Sequence, residues 1–144
     1  MPQLDIAAAA DIATICAMLE RAGLPTTDIA GGQVEFAVAR ERGSVVAAGA
    51  LQRFGAAALL RSVVVTPDRR GGGLGRTIVW ELERRARAAQ VNQLVLLTQT
   101  ASEFFQRLGY QAIERASAPA AVQTSEEFRS LCPSTAICMA KSVA

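Results

Sequence analysis

The chain has 144 residues, is 51% hydrophobic and 19% charged, and carries a formal net charge of +2 with no histidine. That size and composition predict one domain over residues 1–144 with a real apolar core and exclude disorder, while the mild charge, scattered among acids, offers no nucleic-acid surface. Without histidine there can be no Ser-His-Asp triad, Cys-His dyad or histidine metal site, so no metal is expected. Cys16, Cys132 and Cys138 lack Cys-x-x-Cys spacing, which points away from a disulfide framework and toward the reducing cytoplasm. Residues 1–13 include Asp5 and Asp11 and have no basic leader, and no apolar run is long enough for a membrane span, so no membrane partner is expected.

Taken in chain order, Leu4 and Ile6 predict a short strand, and Ile12, Ile15 and Leu19 a helix over Ala9–Ala22 stopped by Gly23. Pro25–Gly32 reads as a loop or short broken helix. Strands follow over Val34–Arg40 and Val45–Gln52, joined by the turn Arg42-Gly43-Ser44, and a third over Ala57–Val65 after Phe54-Gly55. A helix over Gly73–Ala89 buries Leu74, Ile78, Val79, Leu82 and Ala86. Its opposite face mostly takes Glu81, Glu83, Arg84, Arg85 and Arg87, and Glu81–Arg85 and Glu83–Arg87 are i,i+4 pairs. The almost wholly apolar run Gln93–Thr98 predicts a central strand parallel to Ala57–Val65. Thr100–Glu103 and Thr124–Glu127 have capping-box spacing, before a helix ending near Leu108-Gly109 and a helical segment over Phe128–Leu131. Strands over Gln111–Glu114 and Ala136–Ala140 complete the chain.

The most chemical stretch is Val63-Val64-Val65-Thr66-Pro67-Asp68-Arg69-Arg70-Gly71-Gly72-Gly73-Leu74-Gly75-Arg76, a strand joined to a helix by a glycine-rich, arginine-bearing turn. Glycines let a ligand approach the backbone, and the first amides of a helix point outward without partners, so the turn is suited to phosphate. A nucleotide P-loop needs Lys and then Ser or Thr after its last glycine, whereas Gly75 is followed by Arg76-Thr77. A dinucleotide fingerprint needs a third glycine where Arg76 stands and a carboxylate ending the next strand, and Leu94–Thr98 has none. Taken alone, the turn has a tight structural connection between strand and helix as its alternative reading.

The pattern Val-x-Pro-x-x-Arg-Gly-x-Gly-x-Gly over Val65–Gly75 resembles the pyrophosphate loop of GNAT-superfamily N-acetyltransferases, and Phe104-Phe105-Gln106-Arg107-Leu108-Gly109-Tyr110 is similar to that family's aromatic helix segment. The order of elements agrees over nearly the whole chain. This resemblance implies a mixed α/β fold: a twisted mixed sheet of six to seven strands flanked by helices, with two splayed central parallel strands. It implies acetyl-CoA as co-substrate, held by the amides of Gly71, Gly72, Gly73, Leu74, Gly75 and Arg76, with Arg70 and Arg76 adding charge. The freed backbone of Val63, Val64 and Val65 would pair with the pantetheine arm, Phe104 would pack on it, and Arg107 would reach a phosphate. For Phe104 and Arg107, a core aromatic and a solvated helix charge are the alternatives.

The reaction implied is direct attack of an amine on the thioester, and the partner implied is a small-molecule amine. Phe105 stands where relatives carry a tyrosine acid, and the strand Ala57–Val65 has no carboxylate base; a non-catalytic acyl-CoA-binding or regulatory module is therefore the alternative. Arg61 is placed by alternation on the face of Leu59, Val63 and Val65, where it would bind an acidic group on the acceptor or stand as a rim arginine. Ser102 and Glu103 are the catalytic candidates and Glu35 a second acceptor-binding one, although capping explains Glu103 and an exposed strand explains Glu35. Leu96–Ala101, Phe104-Phe105, Thr124–Phe128 and Leu131–Ala136 resemble the small enzymes of arsenic-resistance operons, which implies a detoxification role. Cys132 then reads either as a thiol for trivalent arsenic or as a small buried residue. The superfamily habit of dimerising makes the last strand a place for a homodimer.

Overall fold

The computed structural model describes residues 3–29 and 34–144; residues 30–32 of the expected loop and residues 1–2 of the expected opening segment lie outside them. The chain runs β1 (Gln3–Ile6), α1 (Ile12–Arg21), β2 (Glu35–Glu41), β3 (Ser44–Phe54), β4 (Ala57–Val65), α2 (Leu74–Ala88), β5 (Gln93–Thr98), α3 (Ser102–Arg107), β6 (Gln111–Ile113), α4 (Ala120–Gln123) and β7 (Ile137–Ser142). Seven strands form one mixed sheet in the order β1-β2-β3-β4-β5-β7-β6. The first four are an antiparallel meander, β5 lies parallel to β4 across α2, and β7 enters antiparallel between β5 and β6. This is the expected mixed α/β architecture.

Each face of the sheet has its own helical cover. The apolar stripe of α2 packs Leu74, Ile78, Val79, Leu82 and Ala86 against Ala47, Leu60, Leu94 and Leu96. On the other face Ile15, Met18 and Leu19 of α1 meet Val38, Ala48, Ala50 and Val64, while Val122 of α4 meets Leu59, Val95 and Cys138. Helix α2 can approach so closely because β3 offers Gly49, where a Cβ would stand 2.6 Å from Ile78 Cγ2.

Gly49 also marks a β-bulge. Ala48 pairs with Val64 and Ala50 with Arg61, so Ser62 and Val63 together oppose one residue, and Ser62 takes a left-handed φ of 59°. The bulge corrects the expected strand face. Arg61 shares a side with Leu59, but Val63 and Val65 are shifted to the α2 side with Leu60, because an inserted residue reverses alternation beyond it.

Other local expectations are revised. The helix expected from Ala9 begins as a 3-10 turn over Ala9–Asp11, and Asp11 accepts a 2.7 Å hydrogen bond from the Ala8 amide. No box forms at Thr100–Glu103: Thr98 Oγ1 instead accepts from the Ala101 amide at 3.0 Å ahead of α3. At the second site the cap moves one residue on, with Ser125 Oγ accepting from the Phe128 amide before a π-helical turn over Glu127–Leu131. Glu81 pairs with Arg85 as expected, at 2.8 Å. Glu83 does not pair with Arg87; it is 3% exposed, accepting from the Tyr110 hydroxyl at 2.8 Å and from Lys141 Nζ at 3.0 Å. Its position four residues after Val79 and three before Ala86 lies on the core face, and these two donors satisfy its charge there.

Hydrogen bonds from Arg40 and the Ala8 amide hold the Asp11 carboxyl at about 2, and Arg84 followed by Arg85 hold Glu81 at about 2. Both acids ionise more readily folded than unfolded, so their stabilisation is present above the ordinary carboxylate range and is lost as pH falls toward 2. The difference in melting temperature between the native chain and Asp11→Asn is therefore expected to be largest near pH 6 and to close by about pH 2. A pH-independent difference would remove this account.

A candidate active site where two strands part

Strands β4 and β5 are paired only over Ala57–Gln93, Ala58–Leu94 and Leu59–Val95. From Leu60 and Leu96 onward they diverge, which leaves the β5-facing backbone of β4 without a neighbouring strand. The gap opens into a cleft of about 1400 Å³. Its walls are the outer half of β4, the loop before α2, the end of β5, α3, and the segments around Leu24 and Cys132.

One end of the cleft is formed by the glycine-rich loop and the start of α2. After a 3-10 turn over Pro67–Arg69, Gly71 and Gly73 adopt left-handed φ values of 85° and 86°, and a Cβ on Gly71 would have nothing within 4 Å. Gly73 caps α2 without a side-chain bond, so the amides of Leu74, Gly75 and Arg76 lack intrahelical partners and carry the positive end of the helix dipole. Gly75 lies against Phe104, whose Cζ would be 3.3 Å from a Cβ there. Arg69 is tied to Glu41 and Asp68. Arg70, Arg76 and Arg107 also line the cleft and have no carboxylate partner among the described residues; Arg70 Nε donates to the Val65 carbonyl at 3.3 Å. The structure thus brings Val63, Val64, Val65, Arg70, Gly71, Gly73, Leu74, Gly75, Arg76, Phe104 and Arg107 to one cleft, with Gly72 in the same loop.

Arg61 is not free to meet an acidic ligand. Its side chain is 0% exposed, donating to both Asp28 carboxylate oxygens, to Gln52 at 3.3 Å and to Ser62 Oγ at 3.2 Å, and it pairs with Glu127 at 3.1 Å. The guanidinium thus lies buried between two carboxylates, just before the bulge. Burial opposes the charge of Arg61, but its hydrogen bonds to Asp28 and the nearby Glu127 raise its pKa overall. Burial raises Glu127 despite Arg61.

The remaining candidates are dispersed. Glu35 pairs with Arg53 at 2.8 Å on the exposed sheet surface, and Ser102 and Glu103 stand on the first turn of α3, outside the cleft lining. Phe105 is buried edge-to-face with Tyr110 at 5.7 Å, and burial beside Glu83 pushes the Tyr110 phenol far above its ordinary value. Tyr110 is thus a buried hydrogen-bond donor to Glu83 and is held away from the cleft. Cys132 lines the cleft, but burial and then Glu127 push its thiol up to about 12, and burial also raises Cys138. A protonated thiol suits packing better than soft-metalloid ligation. At neutral pH Cys132 is expected to react with iodoacetamide at least about tenfold more slowly in the native than in the denatured chain; equal rates would refute the assigned protonation.

Three residues of this region escape sequence reasoning: Asp28, Glu127 and Trp80. Asp28 and Glu127 are far from Arg61 in the chain, and the capping pattern hid Glu127. Trp80 carried a visible signal, being an indole on the charged face of α2.

Residues 32–112, more than half of the chain, match the family described as Acetyltransferase (GNAT) domain. No curated protein matches the sequence. Among solved structures, N-acetylglutamate synthase from Neisseria gonorrhoeae, complexed with coenzyme A and N-acetyl-glutamate, superposes with a TM-score of 0.84 at 17% identity, covering 100% of this chain and 35% of that one. The chain thus spans about a third of that enzyme's length. A Mycobacterium tuberculosis protein in complex with CoA and the ligand NLQ superposes at 0.83 with 26% identity, covering 98% of this chain and 99% of that one. The ribosomal-protein-S18-alanine N-acetyltransferase of Escherichia coli superposes at 0.76 with 18% identity, over 100% and 95% of the two chains. With the family match spanning β2 to β6 and the parted strands and glycine loop at its centre, the chain belongs to the GNAT acetyltransferase family.

Proposed function

We propose that this protein is an acetyl-CoA-dependent N-acetyltransferase acting on the amine of a small molecule. The observation that carries the reading is the parting of β4 and β5 after Leu59 and Val95 directly beside a left-handed glycine cradle at the start of α2. The open Cβ position at Gly71 and the unpartnered first amides of α2 fit a diphosphate. Bound acetyl-CoA supplies an acetyl group activated as a thioester. The amides of Gly71–Arg76 hold its pyrophosphate, Arg70, Arg76 and Arg107 supply positive charge, the backbone of Val63–Val65 pairs with its arm, and Phe104 packs beside it.

Leu24, Cys132 and Ala136 also line the cleft, and the acceptor is assigned to their side of it. No Asp, Glu or Tyr is among the described residues lining the cleft, so the acceptor amine loses its proton to solvent and water protonates the leaving thiolate. The rate at subsaturating acceptor is accordingly expected to rise with pH toward the amine's own pKa, with no enzyme-borne limb between about pH 6 and 9; a bell with its apex near 7 would contradict this. The likeness of the Leu131–Ala136 tail to enzymes of arsenic-resistance operons supports a detoxifying role, and the free cysteines are compatible with a cytoplasmic setting.

The test is calorimetric titration with acetyl-CoA alongside release of free thiol over a panel of amino acids, phosphinothricin-like compounds and simple amines. Binding with turnover on at least one amine supports the reading. Binding without turnover on any favours an acyl-CoA-binding module, and absence of binding overturns both.

A further inference from the structure

Trp80, the chain's one tryptophan, is 53% exposed on α2, on the face opposite Ile78, Val79 and Leu82. Core packing does not explain it, and a large indole on a solvated helix face gains little from burial. Two further observations bear on its role. It lines the same cleft as the glycine loop, one helical turn beyond Arg76, and the Arg76 guanidinium stands over its ring at 5.3 Å from the centroid. Arg70 and Arg107 line that cleft as well, without carboxylate partners among the described residues.

An exposed π-face beside unpaired arginines and a phosphate cradle has the chemistry to hold a ligand end in which an aromatic base adjoins phosphates. We propose that Trp80 is the stacking platform for the purine base of the donor, with Arg76 steadying the ring and meeting the attached phosphate. The inference rests on the acetyl-CoA reading and deepens it. Trp80 makes the protein select donors that carry the nucleotide over phosphopantetheine donors that lack it, such as those carried on proteins.

As the sole tryptophan, Trp80 reports directly by fluorescence. The native chain is titrated with CoA, adenosine 3′,5′-bisphosphate and 4′-phosphopantetheine, with calorimetry in parallel. CoA and the bisphosphate are expected to change Trp80 emission saturably, whereas phosphopantetheine leaves it unchanged. Trp80→Ala is expected to weaken CoA about tenfold and Trp80→Phe by less than about threefold, with phosphopantetheine affinity the same in all three proteins. Because the ring is exposed, both variants should keep the native melting temperature. CoA binding by calorimetry without an emission change, or equal CoA affinity in Trp80→Ala, overturns the stacking role and leaves the acetyl-CoA reading standing. If CoA does not bind at all, the donor reading falls and this inference falls with it.

Discussion

Arg61→Ala is expected to lower the free energy of unfolding by about 3–5 kcal/mol, because it removes the cation shared by two carboxylates and leaves both without compensation. The side chain is 0% exposed, and its partners Asp28 and Glu127 are 12% and 5% exposed, so solvent cannot replace it cheaply. Its neighbour Ser62 sits at the left-handed bulge, so the loss is also expected to loosen β4 where it leaves β5. The pH dependence has a definite sign. Without Arg61, burial raises Glu127 with little to oppose it, so protonated Glu127 stabilises the folded variant at low pH and this benefit disappears as pH rises. The deficit of Arg61→Ala relative to the native chain should therefore grow as pH rises above the ordinary carboxylate range. Adding Asp28→Asn and Glu127→Gln to the variant should recover part of the stability, since neutral amides cost less to bury than unpaired charges. Chemical denaturation across pH measures all of this, and a loss below about 1 kcal/mol would show the network to be incidental.

Gly73→Val is expected to weaken acetyl-CoA binding by about a hundredfold or more while costing about 1–3 kcal/mol of stability. Gly73 has a φ of 86°, which a β-branched residue adopts only under strain, and it sets the direction of the first α2 amides. Gly55→Val provides the control. Its φ of 68° lies in the remote β3–β4 turn with nothing within 4 Å of a Cβ, so it should suffer comparable strain and bind acetyl-CoA as the native chain does. Calorimetry on the two variants separates occlusion of the cradle from general destabilisation. Native affinity in Gly73→Val would remove the loop from the donor site.

Much of the architecture was legible because its signals are local. Strand β4 and strand β5 occupy the expected bounds, and the stripe Leu74, Ile78, Leu82 on α2 is a direct consequence of helical periodicity. The glycine loop was legible for the same reason, since left-handed backbone and close approach depend on residues adjacent in the chain. What could not be read was set by partners distant in sequence. Arg61 looks available in a strand that lacks a carboxylate; it is silenced by Asp28, 33 residues earlier, and by Glu127. Glu83 reads as a surface charge until Tyr110, just before β6, and Lys141 of β7 arrive to meet it.

The sequence by itself determined the order of helices and strands and the glycine-rich, arginine-bearing turn before α2, because each depends on residue type and short spacing. Only the tertiary structure decided which charged groups remain available at the cleft. Burial makes an unpaired charge costly, so a guanidinium and a carboxylate from distant segments hold each other inside, while a bulge of a single residue reverses which side of the sheet Val63 and Val65 take.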